Sequence, residues 1–354
     1  MIKINNIDEL QKIGNDPEYP LYGEYELTQD IDASDTINWN NGAGFKPIGT
    51  QKNPFIGKFD GNGHKIDKLY INRPRENDIG LFGYIKENGE VMNLKLENCI
   101  IKGNFFVGGL AGQNHSKIKN SSSTGSVDGV SYVGGLVGLN NIISIEIVKS
   151  FVNYVGGLVG QNNIGAEISE SYSTTTVVGQ SENVGGLVGE NYGGKIDKCY
   201  SNGSARGTSK VGGLVGRNEW TEGPDDSEDI VKARGSVSRS YSESNVSGIG
   251  PIIGGLIGYN IKGIIKECYS AGSVTSDDLS TQNTIGGLIG YNYDYDYGGK
   301  VQDSYWDTQI SGKTISAGGI GKTTAEMKKK ATYENWDFVN IWDIKEDITY
   351  PFFR

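Results

Sequence analysis

Motifs able to carry acid–base or metal chemistry are few in this chain. Histidine stands only at positions 64 and 115. That leaves no HExxH zinc helix, and a Ser-His-Asp triad has little to draw on. His64 belongs to the turn Asp60-Gly-Asn-Gly-His64 and reads as structural. The stretch Gly318-Gly-Ile-Gly-Lys-Thr-Thr324 imitates a phosphate-binding loop, but that motif needs glycine where Ser316 stands and a buried α/β strand ahead of it. It reads as a decoy. The acidic pairs Asp225/Asp226, Asp277/Asp278 and Asp294/Asp296 offer oxygens suited to Ca²⁺, without the spacing of an EF-hand or a calcium-binding nonapeptide repeat. Surface solvation is their expected role, and no cofactor is expected beyond a weak surface Ca²⁺. The three cysteines, Cys99, Cys199 and Cys268, share one repeat position. Cys199 and Cys268 lie two coils apart, about 10 Å, beyond the reach of a disulfide. They read as free, buried small residues with neither metal nor redox spacing.

Aromatic residues offer more. A polar strand of the form Ile-x-x-Cys/Ser-Tyr-Ser-x-Gly-x-Val recurs at 118–127, 168–177, 196–205, 237–246 and 265–274. Alternation places Cys199, Ser201, Gly203 and Ala205 on one side and the aromatic on the other. Phe151, Tyr172, Tyr200, Tyr241, Tyr269 and Tyr305 thereby form a column expected to face outward. Stacked tyrosines can simply stabilise neighbouring coils. They can also serve as a rigid platform for sugar rings or protein side chains. Trp220 opens the acidic insert 219–235 (EWTEGPDDSEDIVKARG). Inserts in repeat arrays gather on one face and often carry binding, although a merely solvated loop remains equally open.

These residues are positioned by an eight-residue phrase that returns seven times. It reads VGGLAGQN at 107–114, VGGLVGLN at 133–140, VGGLVGQN at 155–162, VGGLVGEN at 184–191 and VGGLVGRN at 211–218. IGGLIGYN then stands at both 253–260 and 285–292, and a looser IGLFGY precedes them all at 79–84. Starts lie 22 to 42 residues apart, the signature of stacked repeats. Stacking turns each position into a ladder. Asn114, Asn140, Asn162, Asn191, Asn218, Asn260 and Asn292 are expected to hydrogen-bond along the stack from a turn. The residue before each Asn (Gln113, Leu139, Gln161, Glu190, Arg217, Tyr259, Tyr291) varies, which suggests exposure. The glycines permit tight bends or close backbone approach. Apolar residues occupy both parities of the phrase, so its outward face stays open. An outward valine strip could join subunits into an oligomer. The unit at 147–154 lacks part of its polar strand, which predicts a pinched coil.

Two strands, or three with the loop, per repeat predict an all-β chain, a parallel β-helix or β-solenoid. Its winding is expected to be right-handed. A single solenoid domain is expected over 1–354. Residues 1–20 read as an N-terminal cap with a helix at 5–16, where Asn6 is the N-cap and Ile7, Leu10 and Ile13 share a face. Irregular lead-in coils follow at 21–78 and repeat coils at 79–312. Residues 313–354 read as a C-terminal cap, helical near 323–333 and then rich in aromatics (Trp336, Phe338, Trp342, Tyr350, Phe352, Phe353). Such a cap covers open sheet edges that would otherwise recruit other chains.

Glycine makes up 53 of the 354 residues, about twice average usage. A net charge of −10 argues against a nucleic-acid or anionic-membrane surface. No stretch approaches the roughly 20 apolar residues of a membrane span. The start, Met1-Ile-Lys-Ile-Asn-Asn, has no hydrophobic signal region, so a leader was removed or export takes another route.

The phrase closely resembles the GLUG motif of bacterial surface proteins, and the resemblance covers most of the chain. It implies a β-solenoid, with similar lead-in and tail regions, and an adhesin-like role outside the cell or on its surface. Glycans or host and cell-surface proteins would be the partners. Because a fold does not fix a function, alternatives stay open. A polysaccharide lyase or hydrolase would need carboxylates, with or without Lys/Arg, on adjacent coils. A phage or prophage fibre, or the non-catalytic repeats of a larger surface peptidase, would look similar.

Overall fold

The computed structural model describes residues 1–141, 155–174, 176–179, 182–220, 234–277, 284–293 and 299–354. They form two compact units, one built mainly from residues before 142 and the other mainly from residues after 161. Each is a parallel β-solenoid whose short strands pair with their counterparts one coil on. Phe151, the unit at 147–154, Asp225/Asp226, Asp278, Asp294/Asp296 and most of the acidic insert lie outside the described residues.

In the first unit the stack begins at the chain's second residue. Ile2–Ile4 pairs in parallel with Glu24–Leu27, then come Lys58–Asp60, Glu90–Met92 and Lys117–Lys119. Register aligns Ile2, Tyr25, Phe59, Val91 and Ile118. The lead-in thus forms regular rungs although it lacks the repeated phrase. Apolar alternation holds the register, and Tyr25, Phe55, Phe59 and Phe82 pack ring against ring beneath it. The helix Ile7–Lys12 lies beside these rungs, capped by the Asn6 side chain accepting from Glu9 N at 2.9 Å. It is shorter than 5–16 because the chain turns at Gly14, whose φ of +76° suits glycine.

A full coil of the second unit has five short strands, as in Glu182–Gly185, Val188–Tyr192, Lys195–Asp197, Tyr200–Ser201 and Ser204–Gly207. The extra corners come from two sources. The phrase breaks at its Gly-Leu pair. The polar strand bends at Lys198, Arg239 and Glu267, whose φ values of 53°, 45° and 53° are left-handed. Side chains other than glycine seldom adopt that conformation, so residue type gives no warning of it.

The phase of the phrase is settled by its glycines. A Cβ on Gly212 would collide with the Val215 carbonyl and sit 2.7 Å from Gly258 N, and one on Gly254 would sit 2.6 Å from Gly290 N. The phrase's first strand therefore lies against the second strand of the next coil with backbone touching backbone. Its valines go the other way, where Val184, Val211 and Ile253 join Ala205, Val246 and Val274 in one buried cluster. The second-strand residues Val188, Val215 and Ile257 are buried as well. Of the two phases the sequence leaves open, the one with its valines in the core is realised here.

The chain's last rung is Ile320–Lys322, parallel to Tyr305–Asp307. The phosphate-loop imitation ends here in a four-residue helix, Thr324–Met327. Thr323 donates both its backbone N–H and its hydroxyl to the Glu326 carboxylate, each at 2.8 Å. A protein carboxylate thus occupies the place an anion would take. The aromatic tail does more than close an end. It folds back along the side of the unit, where its antiparallel pair Trp342–Asp343 and Phe352–Phe353 covers the tyrosines.

Candidate functional site

Each column tyrosine belongs to a two- or three-residue strand in which the next side chain points inward. Ser201 Oγ donates to Gly213 O at 2.5 Å and Ser270 Oγ to Gly287 O at 2.7 Å, tying each strand to the following phrase. The tyrosines are thereby turned out and held one above another. Tyr172, Tyr200, Tyr241 and Tyr269 stack with centroids 5.0, 4.9 and 4.8 Å apart and planes within 8°.

Their accessibility differs along the column. Tyr172 is 57 % exposed and Tyr200 half-buried, whereas Tyr241, Tyr269 and Tyr305 are 7 %, 0 % and 4 % exposed. The last three are therefore corrected from open contacts to covered ones, because the tail lies on them. Phe353 and Trp342 pack on Tyr241, Tyr350 stacks on Tyr269, and Trp336 and Tyr333 meet Tyr305. Burial pushes the Tyr241 and Tyr269 phenols well above their usual range, and Glu243, between them in the chain, is pushed up by burial too. Trp220 is half-buried, with Lys262 Nζ 4.3 Å from its ring centroid.

The asparagines sit at or next to the ends of strands rather than in turns, and Asn114, Asn162, Asn191, Asn260 and Asn292 each donate to a backbone oxygen just beyond the strand. Asn191 Nδ2 donates to Gly194 O at 2.9 Å and to Asn218 Oδ1 at 2.8 Å. In the second unit the ladder runs Asn162, Asn191, Asn218, Asn260, Asn292 at 2.7 to 2.9 Å per step. In the first unit Asn114 donates to Asn140 at 2.8 Å.

The variable position before the asparagine is not uniformly exposed. Gln113, Leu139 and Glu190 are buried. In the second unit, Arg217 accounts for part of this, its Nη1 lying 3.4 Å from Glu190 and its Nη2 2.7 Å from Glu219. Burial raises the Glu219 carboxyl. Lys210 Nζ lies 5.9 Å from the Tyr259 ring, and Tyr259 meets Tyr291 at 5.4 Å. The exposure that their variety suggests is thus corrected at Gln113, Leu139 and Glu190; pairing of opposite charges in register, Glu190 with Arg217, is the signal in the sequence that points to it.

Cys99, Cys199 and Cys268 are free, buried and pushed up to about 12 by burial. Among the described residues no group of His, Cys, Asp and Glu is arranged to hold a metal. Asp277 is paired with Arg206 at 3.1 Å. No described helix is long and apolar enough to cross a membrane.

Comparison with known proteins bears on these coils directly. Residues 103–128, 180–205 and 250–275 match the family model described as the GLUG motif. Each match spans about one coil, phrase and polar strand together. A protein of Evansella cellulosilytica described as a "Putative Gly-rich membrane protein" is 35 % identical over 92 % of this chain. Halomucin of Haloquadratum walsbyi is 38 % identical over 40 % of it. The chain spans only 41 % and 2 % of those relatives' lengths. The crystal structure of a "putative immunoglobulin A1 protease" from Bacteroides ovatus shares the fold, with a TM-score of 0.56 at 20 % identity over 99 % of this chain and 91 % of that one. With glycine phrases, polar strands and coil pairing in agreement, the chain is a GLUG-motif repeat protein.

Proposed function

We propose that this chain is a non-enzymatic binding module displayed outside the cell or on its surface, where stiff coils hold an adhesive face. The observation that carries the reading is the open end of the tyrosine stack. Tyr172 and Tyr200 are fixed in position by stacking on each other, and Tyr172 is exposed while Tyr200 stays half-buried beside Phe353. Rigid, amphipathic rings lose little entropy on binding and suit sugar rings or protein side chains. Relatives described as a membrane protein and as a halomucin support a surface setting.

A hydrolytic reading draws on one cluster, Glu190, Arg217 and Glu219. Glu190 is 1 % exposed, and both carboxylates engage the same guanidinium, an arrangement that stabilises the wall. The test is a glycan-array and polysaccharide-binding screen with release of reducing ends followed in the same wells. Binding without release, lost in the Tyr172→Ala/Tyr200→Ala double variant, is the expected result. Release of reducing ends that disappears in Glu219→Gln would replace this reading with the hydrolytic one.

A further inference from the structure

We propose that a groove beside the N-terminal helix binds a neutral saccharide, independently of the tyrosine stack. Asp8, Gln11, Lys12 and Asn15 follow helical spacing on the face opposite Ile7 and Leu10, which are buried. The facing wall comes from Trp39, Asn40 and Lys46, and Asp16 completes a groove of about 540 Å³. That size lies within the roughly 300–1,000 Å³ typical of small-ligand sites.

The floor is preorganised. Lys46 N donates to Gln11 Oε1 at 2.8 Å while Gln11 Nε2 donates to Lys46 O at 3.0 Å, a reciprocal amide lock. Lys46 Nζ also donates to Asn15 Oδ1 at 2.8 Å. Trp39 is half-buried and backed by Phe45, with ring centroids 6.4 Å apart and planes 24° from parallel. The turn beyond it is held by Asn40 Nδ2 donating to Gly44 O at 2.7 Å. Little ordering is left to lose on binding.

Charge and hydrogen-bond capacity select the ligand class. Two aspartates and two lysines line the groove, so the lining offers no net charge to an ion. Among the described residues the Asp8 carboxylate has no hydrogen-bond or ion-pair partner, which leaves acceptors free on one wall. Lys12 likewise forms no ion pair and stands 5.4 Å from the Tyr19 ring, leaving donors free. A ligand that gives and takes hydrogen bonds through hydroxyls and lays an apolar face on an indole is a neutral sugar.

The full chain would be titrated calorimetrically with neutral cello-, manno- and xylo-oligosaccharides and with charged oligogalacturonate. A neutral ligand should bind, Trp39→Ala should weaken it at least tenfold, and Tyr172→Ala/Tyr200→Ala should leave it unchanged. If Trp39→Ala melts early, Trp39→Phe keeps the contact with Phe45 and should still lower affinity severalfold. Failure of every neutral sugar to bind, preference for oligogalacturonate, or indifference to both Trp39 variants would overturn the proposal. Loss of binding in the tyrosine double variant alone would overturn it too, while leaving the adhesive reading of the stack standing.

Discussion

The Tyr269 hydroxyl lies 2.8 Å from the backbone oxygen of Pro351, joining a repeat coil to the end of the chain. Tyr269 is fully buried, so this contact has no water to replace it. Tyr269→Phe should therefore leave an acceptor unsatisfied and cost about 1–3 kcal/mol. Urea unfolding followed through Trp336 and Trp342 checks this, with the exposed Tyr172→Phe as the near-neutral control. Equal midpoints for the two variants would mean that the tail is held by ring packing alone.

The same hydroxyl lies 3.0 Å from Glu243 Oε1. A phenol has one hydrogen, so both contacts are satisfied together only when Glu243 carries a proton of its own. Burial pushes its carboxyl upward, outweighing the lowering by the Tyr269 contact. The folded value therefore lies above the unfolded one. The stabilisation is complete below the ordinary carboxylate value of about 4.3 and is lost as pH rises through the raised value. Wild type should lose stability relative to Glu243→Gln across that rise. A pH-independent difference in urea midpoint would show that folding leaves the Glu243 carboxyl unshifted.

Asn218 is fully buried, accepts from Asn191 Nδ2 at 2.8 Å and donates to Asn260 at 2.8 Å and Gly235 O at 3.1 Å. Asn218→Ala removes all three bonds and strands their partners, so about 2–4 kcal/mol should be lost. Asn292→Ala, at the end of the described ladder, should cost roughly half as much. Thermal denaturation of the two variants ranks them, and equal shifts would argue against cooperation along the ladder.

The ladder could be read from sequence because one residue type returns at one motif position, and stacking alone then aligns it. The direction of Tyr200 and Tyr241 was readable for a similar reason, since alternation sets their side. Their different exposure was not, because the tail segment that covers Tyr241 shares no repeat with it. Nor could the corners at Lys198 and Arg239 be seen: backbone that bends through a left-handed lysine or arginine leaves no mark in polarity. The groove of Trp39 escaped for a third reason. It joins residues 8–16 to residues 39–46, two non-repeated stretches whose meeting depends on the lock between Gln11 and Lys46.

Glycine 212 tests the closeness of the two phrase strands. A Cβ there would collide with the Val215 carbonyl, a backbone atom that cannot rotate away. Gly212→Ala should cost about 3 kcal/mol or more, at the upper end of overpacking effects. Gly42, with φ +83° and open space around it, should cost only about 1–2 kcal/mol as alanine, the price of the left-handed backbone. Circular dichroism melts of both variants separate crowding from conformation, and a larger shift for Gly42→Ala would reverse the assignment.

The cysteines report on each unit separately. At pH 8 an ordinary thiol is roughly one-quarter thiolate, whereas one pushed up to about 12 is ionised in only about one part in ten thousand. Burial also blocks the reagent, so labelling of the native chain by an aromatic disulfide should be at least about 1,000-fold slower than after unfolding. Cys99 belongs to the first unit, and Cys199 and Cys268 to the second. Under graded urea, mass spectrometry of labelled peptides should show Cys199 and Cys268 becoming reactive at one midpoint, because ladder and tail bind their coils together. Separate midpoints for those two would mean that the coils of the second unit open one at a time.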